Sequence, residues 1–252
     1  MTGPASLAMY DTLSVRDATD ALWGAIRSAL RARGVAAPDT LTRNRADAEI
    51  WTDPDLVLAQ TCGLPFVTGM TGRSVLLGAA DYRLDGCPSG YYRSIIITRK
   101  DHPATRLDAF ANASYAFNAT NSQSGFACLH QHCKQHAPGA LGKGLSTGAH
   151  IASIAAVASA KADLAAIDAV TFRLAKADGM TEGVREIART APTPGLPFIT
   201  APKHDVARMQ DAIEDGIERL APHHKSRLGL NGFVRFTPDD YTSQIHPVPT
   251  PS

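Results

Sequence analysis

Apolar, strand-like runs alternate with helical patterns along nearly the whole chain. Residues 74–80 and 92–98 are apolar, the second run rich in isoleucine, which is typical of strands buried on both faces. Residues 18–33 repeat apolar side chains at helical spacing, and Gly34 follows as a stop signal. Further strands are predicted at 6–10, 114–117, 163–167 and 184–191, and further helices at 55–60, 125–136, 150–160, 169–177 and 205–220. This alternation predicts an α/β fold with mainly parallel sheets.

One octapeptide pattern, T-x-G-L-P-F-[VI]-T, occurs twice, at residues 61–68 and 193–200. It is either a coincidence between two similar turns or a sign that equivalent strands enter the same lobe. The second interpretation predicts a first lobe of residues 1–98 and 192–252, with a disordered proline-rich tail from about 246. Residues 99–191 would form an inserted second lobe, joined by two hinge crossovers. Such an arrangement provides a cleft, where small-molecule sites usually form.

The charge balance argues against several classes of partner. The 252 residues include 25 basic and 24 acidic side chains, without a recurring basic stripe, so nucleic acid is disfavoured. No run approaches the roughly 18 apolar residues of a membrane span, and the first residues lack the pattern of an export signal. The expected location is therefore cytoplasmic, or periplasmic if a signal has been removed.

The strongest local signal for binding is the segment from Asn118 to Gly125, which follows a predicted strand and opens a predicted helix. Ser122, Gln123 and Ser124 place hydroxyl and amide groups where unpaired backbone N–H groups and the helix dipole attract an anion. Ordinary helix capping is the alternative, but a single serine would satisfy it.

Three other places could contribute to the same site. Thr147 and His150 stand at a second helix start of the same kind. Asp168 ends a predicted buried strand, where a carboxylate either points into a ligand crevice or caps the next helix. Tyr10 and Tyr92 lie at strand ends and are either cleft-lining or simply half-buried aromatic side chains.

Metal and cofactor chemistry receive little support from the sequence. Cys128, His132 and His136 share one face of a predicted helix, but no fourth ligand and no H-E-x-x-H glutamate accompany them, so solvated histidines are favoured over zinc. Walker and G-x-S-x-G motifs are missing, and no cofactor is predicted. The four cysteines form no CxxC pair and are expected to be free thiols.

With these residues the sequence resembles the PhnD-like phosphate, phosphite and phosphonate-binding proteins of ABC transporters, which have the type II periplasmic-binding-protein fold. The segment from Asn118 to Gly125 is similar to the family's N-D-x-x-S-x-S-G loop, although Ala119 replaces the usual acidic residue. The resemblance implies the following roles: phosphoryl oxygens held by Ser122, Gln123 and Ser124, a ligand group from His150, a carboxylate at Asp168 that meets the ligand's amine, and cleft-lining side chains at Tyr10 and Tyr92.

The resulting hypothesis is a solute-binding protein that closes on a small phosphate- or phosphonate-like anion, with an ABC permease as partner and no catalysis. Two alternatives remain open. One is a chorismate-dehydratase-like lyase on the same fold, with Asp168 or His150 as general base. The other is a cytoplasmic ligand sensor.

Overall fold

The computed structural model describes residues 2–245 and 247–248. Its strands, in chain order, are β1 (Ala5–Ser6), β2 (Leu58–Gln60), β3 (Val75–Asp81), β4 (Tyr91–Tyr92), β5 (Ser94–Arg99), β6 (Ala113–Phe117), β7 (Leu141–Ser146), β8 (Leu164–Asp168), β9 (Val184–Arg189), β10 (Thr193–Pro194), β11 (Pro197–Thr200) and β12 (Gly232–Val234). Its α-helices are α1 (Arg16–Ala32), α2 (Asp47–Trp51), α3 (Gly63–Gly69), α4 (Cys128–His136), α5 (His150–Ala158), α6 (Ala169–Ala177), α7 (Val206–Arg219), α8 (Pro222–Leu228) and α9 (Pro238–Thr242).

The chain folds into two compact units. Unit 1 comprises residues 2–91 and Pro194–Gln244, and unit 2 comprises Tyr92–Thr193 together with Ile245. The first division precedes residue 98 because β5 pairs with β8 and β9, both of which belong to unit 2. Val248 packs against the core of unit 2, whereas the sequence had assigned the whole end of the chain to the first lobe. The rest of the predicted disordered tail, residues 246 and 249–252, lies outside the described residues.

Unit 1 is built on a five-stranded sheet in the order β1-β2-β11-β3-β12. Strands β1 and β2 are parallel, while β11 is antiparallel to both β2 and β3. Helices α1 and α7 lie close together because Gly216 carries no side chain; a Cβ there would stand 2.6 Å from Cγ1 of Ile26. The apolar faces of these two amphipathic helices pack against each other, and α7 also packs against β3 and β12 of the sheet.

Unit 2 has a second five-stranded sheet, ordered β7-β6-β8-β5-β9. β6 is parallel to β7 and β8, and β5 is antiparallel to β8 and β9. Both sheets are therefore mixed rather than mainly parallel. Local apolar patterns reveal a strand but not the direction of its neighbours, so this feature was not accessible from the sequence.

The repeated octapeptide does not mark equivalent strands. Residues 63–69 form helix α3, whereas residues 197–200 form strand β11. The first copy packs as a helix against α9, with the rings of Phe66 and Tyr241 5.4 Å apart, and the second copy pairs with β2 and β3. The two copies are thus a local likeness with different tertiary partners.

Local structure differs from the prediction in other places as well. Residues 6–10 were predicted to be a strand, but β1 ends at Ser6, and Ala8–Tyr10 form a 3-10 helix. Residues 55–60 were predicted to be helical, but they form a turn and strand β2, and a short helix α2 precedes them. Strand β7 was missed because its sequence, LGKGLS, is half glycine and lysine. Its residues are mostly half-buried or exposed, as expected for an edge strand.

Candidate functional site

The candidate site lies at one end of the strands of the unit 2 sheet, where β6, β7 and β8 finish; we call this end the unit 2 sheet edge. Phe117 at the end of β6 pairs with Ser146 at the end of β7, so the loops that follow these parallel strands leave the sheet side by side. The parallel strand β8 ends at the same edge in Asp168, which pairs with Ser94 at the start of β5. This edge therefore gathers the beginnings of α5, α6 and the helical segment that leads into α4.

The segment leading into α4 begins as one turn of π-helix, Gln123–Ala127. The carbonyl of Ser122 accepts hydrogen bonds from the backbone N–H groups of Phe126 and Ala127, at 3.3 and 3.0 Å. The hydroxyl of Ser122 accepts from the N–H of Gly125 at 3.0 Å. Turns of π-helix are rare and often occur at functional sites, where they widen the spacing of backbone groups. Ser122 therefore serves as the cap that the sequence offered as the alternative to anion binding.

Ser124 and His150 connect two of the helix starts. Ser124 Oγ lies 2.9 Å from Nε2 of His150, the first residue of α5. A second hydrogen bond fixes the backbone of Ser124: the hydroxyl of Ser94 donates to the carbonyl oxygen of Ser124 at 2.9 Å. Ser94 is fully buried, and its own N–H donates to the hydroxyl of Thr190. The sequence analysis missed Ser94 and Thr190, and a lone serine ahead of an isoleucine run was the only available signal.

Gly125 is required by the closeness of its neighbours. A Cβ at this position would lie 2.0 Å from Oδ1 of Asn118 and 3.1 Å from Cε1 of His150. The carboxamide of Asn118 therefore lies directly over Gly125 at the helix start, and the imidazole of His150 also lies against this glycine. Oδ1 of Asn118 is buried and makes no hydrogen bond to any described residue.

His150 is uncharged at neutral pH. Burial of its ring lowers the pKa to about 4, although a hydrogen-bonding interaction with the backbone of Ala166 acts in the opposite direction. Nδ1 of the ring is buried, although the residue as a whole is half-buried. Any negative charge held here must therefore be stabilised by hydrogen-bond donors and helix dipoles rather than by an imidazolium.

The other predicted residues are placed differently. The hydroxyl of Thr147 lies within hydrogen-bonding distance of the Phe117 carbonyl and of the Ser153 hydroxyl, so it braces the turn before α5. Asp168 is buried and caps α6, with Oδ1 accepting from the N–H groups of Val170 and Thr171 at 2.8 and 3.0 Å. Capping was one of the two roles that the sequence left open for this carboxylate.

The two tyrosines are both buried and belong to different units. Tyr92 is in unit 2, two residues before Ser94, and only 2% of its surface is exposed. Tyr10 is in unit 1, where its ring packs edge-on against Tyr82 with centroids 5.1 Å apart. The structure thus brings the unit 2 residues to one sheet edge, while Tyr10 lies in the core of unit 1, in a short 3-10 helix (Ala8–Tyr10) that follows β1.

Cys128, His132 and His136 lie on α4, where the sequence had offered them as a candidate metal cluster. Across residues 2–245 and 247–248, no three His, Cys, Asp or Glu side chains are grouped so as to hold a metal ion. Cys133 is buried, which raises the pKa of its thiol to about 11. All four cysteines are free thiols. Within the same described ranges, no helix has the length and apolar character needed to cross a bilayer.

Several solved structures share the fold of this chain. A protein from Xanthomonas citri bound to ATP is 15% identical, with a TM-score of 0.68 over 96% of this chain and 93% of that chain. PhnD1 from Prochlorococcus marinus, in complex with methylphosphonate, is 17% identical, with a TM-score of 0.67 over 90% and 91%. The binding-protein component of an ABC phosphonate transporter from Pseudomonas aeruginosa is 15% identical, with a TM-score of 0.67 over 96% and 84%. These likenesses confirm the type II fold.

The sequence itself identifies the family. Comparison with curated proteins finds no match. Residues 55–241, however, match the family model described as the periplasmic substrate-binding protein of phosphonate ABC transporters. This stretch covers well over half of the chain and includes every predicted site residue except Tyr10. The resemblance noted in the sequence is confirmed: the chain is a solute-binding protein of the phosphonate-binding family of periplasmic ABC-transporter substrate-binding proteins.

Proposed function

We propose that this protein binds a small phosphonate or phosphate anion at the unit 2 sheet edge and delivers it unchanged to an ABC permease. Membership of the family supports the transporter partner and a periplasmic location. The methylphosphonate complex of PhnD1 from Prochlorococcus marinus supports the ligand class.

The observation that carries this proposal is the hydrogen bond between Ser124 and His150. It ties the start of the π-helical segment to the start of α5, so the N-terminal ends of two helical segments lie next to each other. Each helix start carries about half a positive charge, and together they suit a compact anion with several oxygen atoms. A lysine is not needed for such a site.

The proposed roles differ from those that the sequence suggested for Ser122, Thr147 and Asp168, all of which were predicted to contact the ligand. Ser124 and the backbone of Gln123 are the direct contacts, while Ser122, Thr147 and Asp168 shape the three helix starts. Tyr10 and Tyr92 remain proposed contacts for the organic part of the ligand.

Catalysis is not part of the proposal because neither candidate base is suited to it. A general base works best with a pKa near the operating pH, and the pKa of His150 is lowered to about 4. Oδ1 of Asp168 is committed to two backbone N–H groups. Phosphorus NMR of methylphosphonate after long incubation should show the ligand unchanged, and any new resonance would favour the lyase alternative.

Isothermal titration with methylphosphonate, phosphate, sulfate and ATP tests the binding function directly. Ser124→Ala should weaken methylphosphonate binding by about 1–3 kcal/mol, because it removes a buried hydroxyl beside a charged ligand. Ser159→Ala is the matched control: Ser159 is exposed at the far end of α5, and its hydroxyl bonds only to carbonyls of that helix. Equal affinities for the Ser124 variant and the wild type would place the site elsewhere, and no binding across the panel would refute the proposed ligand class.

A further inference from the structure

The structure divides the three side chains that the sequence grouped on α4. Cys128 is buried, and Nε2 of Gln123 donates to its Sγ at 3.3 Å. His132 is half-buried, and His136, one turn further along the helix, is exposed. The two imidazole rings are neighbours, with centroids 4.6 Å apart and planes tilted by 45°. The histidines therefore form a pair in which Cys128 takes no part.

Both rings of this pair are accessible to a ligand. In the part of the chain that the structure describes, neither His132 nor His136 makes a hydrogen bond or an ion pair, so each ring can turn towards a shared partner. Burial, together with the neighbouring His136, lowers the pKa of His132, so this ring is uncharged at neutral pH. A neutral imidazole keeps a nitrogen lone pair, which is the form that binds metal ions.

The separation of the rings suits one metal ion bound to both. A metal–nitrogen bond of about 2.0–2.1 Å places the metal about 3.2 Å from each ring centroid. Two centroids 4.6 Å apart then subtend an angle of about 90° at the metal. This is the angle between adjacent ligands in square-planar and tetragonal Cu(II) and Ni(II) sites, whereas tetrahedral Zn(II) needs centroids about 5.2 Å apart.

The position of the pair on the helix also favours a cation. His136 is the last residue of α4, and the C-terminal end of a helix carries a partial negative charge. Lys134 is the cation closest in sequence, but it is two positions away from each histidine. Side chains two residues apart do not share a helix face, so the lysine does not point into the space between the rings.

We propose that His132 and His136 form a chelating site for a divalent metal ion that prefers tetragonal geometry, Ni(II) or Cu(II). One nitrogen of each ring binds the metal in adjacent positions. Water fills the other positions, because among residues 2–245 and 247–248 no third His, Cys, Asp or Glu joins the pair. The site lies at the opposite end of α4 from the π-helical segment, so it does not depend on the proposed anion binding.

Titration calorimetry of the protein without a histidine tag tests this proposal. Ni(II) is the probe because the free thiols of the chain do not reduce it. One equivalent should bind, and the dissociation constant should rise about tenfold or more in His132→Gln and in His136→Gln, since each variant loses the second, intramolecular bond of the chelate. Zn(II) should bind the wild type more weakly than Ni(II).

His223→Gln is the matched control. His223 and His224 also have neighbouring rings, but their centroids are 3.9 Å apart, which is closer than the about 4.5 Å that a shared metal with a 90° angle requires. The control variant should therefore bind Ni(II) like the wild type. Absence of saturable Ni(II) binding, or equal affinities of the wild type and the two α4 variants, would overturn the proposal. Tighter binding of Zn(II) than of Ni(II) would overturn the tetragonal geometry.

The melting temperature provides a second measurement. The unfolded chain does not hold the two histidines one turn apart, so Ni(II) should bind the folded protein preferentially and raise its melting temperature. The rise should be much smaller in His132→Gln and His136→Gln, and an equal rise in all three proteins would contradict the chelate. If a variant failed to fold, saturable binding by the wild type and the order of Ni(II) and Zn(II) affinities would still decide the matter.

Discussion

The substitution Gly125→Ala tests whether the helix start at residue 125 is as tightly built as the structure indicates. The new methyl group would lie 2.0 Å from Oδ1 of Asn118 and 3.1 Å from Cε1 of His150. Normal contact distances are near 3.5 Å, so the Asn118 carboxamide must retreat by more than about 1 Å and the imidazole by a few tenths of an ångström. The carboxamide can rotate, because its buried oxygen has no hydrogen bond to lose.

The expected cost is the difference between two effects. Overpacking of a tight site costs about 1–3 kcal/mol, whereas replacing glycine by alanine within a helix returns about 0.5–1 kcal/mol. The free energy of unfolding should therefore fall by about 0.5–2 kcal/mol. Because the displaced ring is the partner of Ser124, methylphosphonate binding should weaken by about tenfold or more.

Urea unfolding followed by circular dichroism, together with calorimetry, measures both effects. Gly24→Ala is the matched control, because a Cβ at Gly24 in α1 meets nothing within 4 Å and should stabilise the protein by about 0.5–1 kcal/mol. If Gly125→Ala behaved like Gly24→Ala, with unchanged ligand affinity, the contact of Asn118 and His150 with Gly125 would not exist in solution.

Two further perturbations follow from the same site. The folded pKa of His150 is about 4 and the usual value is 6.5, so the unfolded chain binds the extra proton first as the pH falls. The free energy of unfolding should therefore decrease, by on the order of 2–3 kcal/mol, between about pH 6.5 and about pH 4 and level off below. Urea titrations at each pH should show that His150→Gln lacks this part of the pH dependence. Asp168→Ala should lower the free energy of unfolding by about 0.5–2 kcal/mol, because it removes the buried cap of α6. Asp205→Ala, at the exposed start of α7, should lower it by less. Equal losses for the two variants in thermal or urea unfolding would contradict the importance of burial.

Local sequence patterns predicted the elements that carry the site. Helix α6 was predicted with the bounds observed, and the helix starting at His150 was placed at its first residue. Hydroxyl-rich segments after apolar strands are strong signals, because capping and strand burial are both local properties. The edge strand β7 was missed since its side chains bury little surface, and the direction of strand pairing was wrong since it is decided by distant residues.

The side-chain contacts that hold Ser124 in place are long-range. Ser94 supports Ser124 from 30 residues away, and His150 reaches it from 26 residues away. No spacing rule connects these positions, because their distance is set by the order β6-β8-β5 in the sheet and not by any helical period. The sequence could therefore propose that an anion binds near Ser124, but not that the serine hydroxyl already has an internal partner. That partner joins the starts of two helical segments, so a change at His150 also alters the surroundings of the Ser124 hydroxyl.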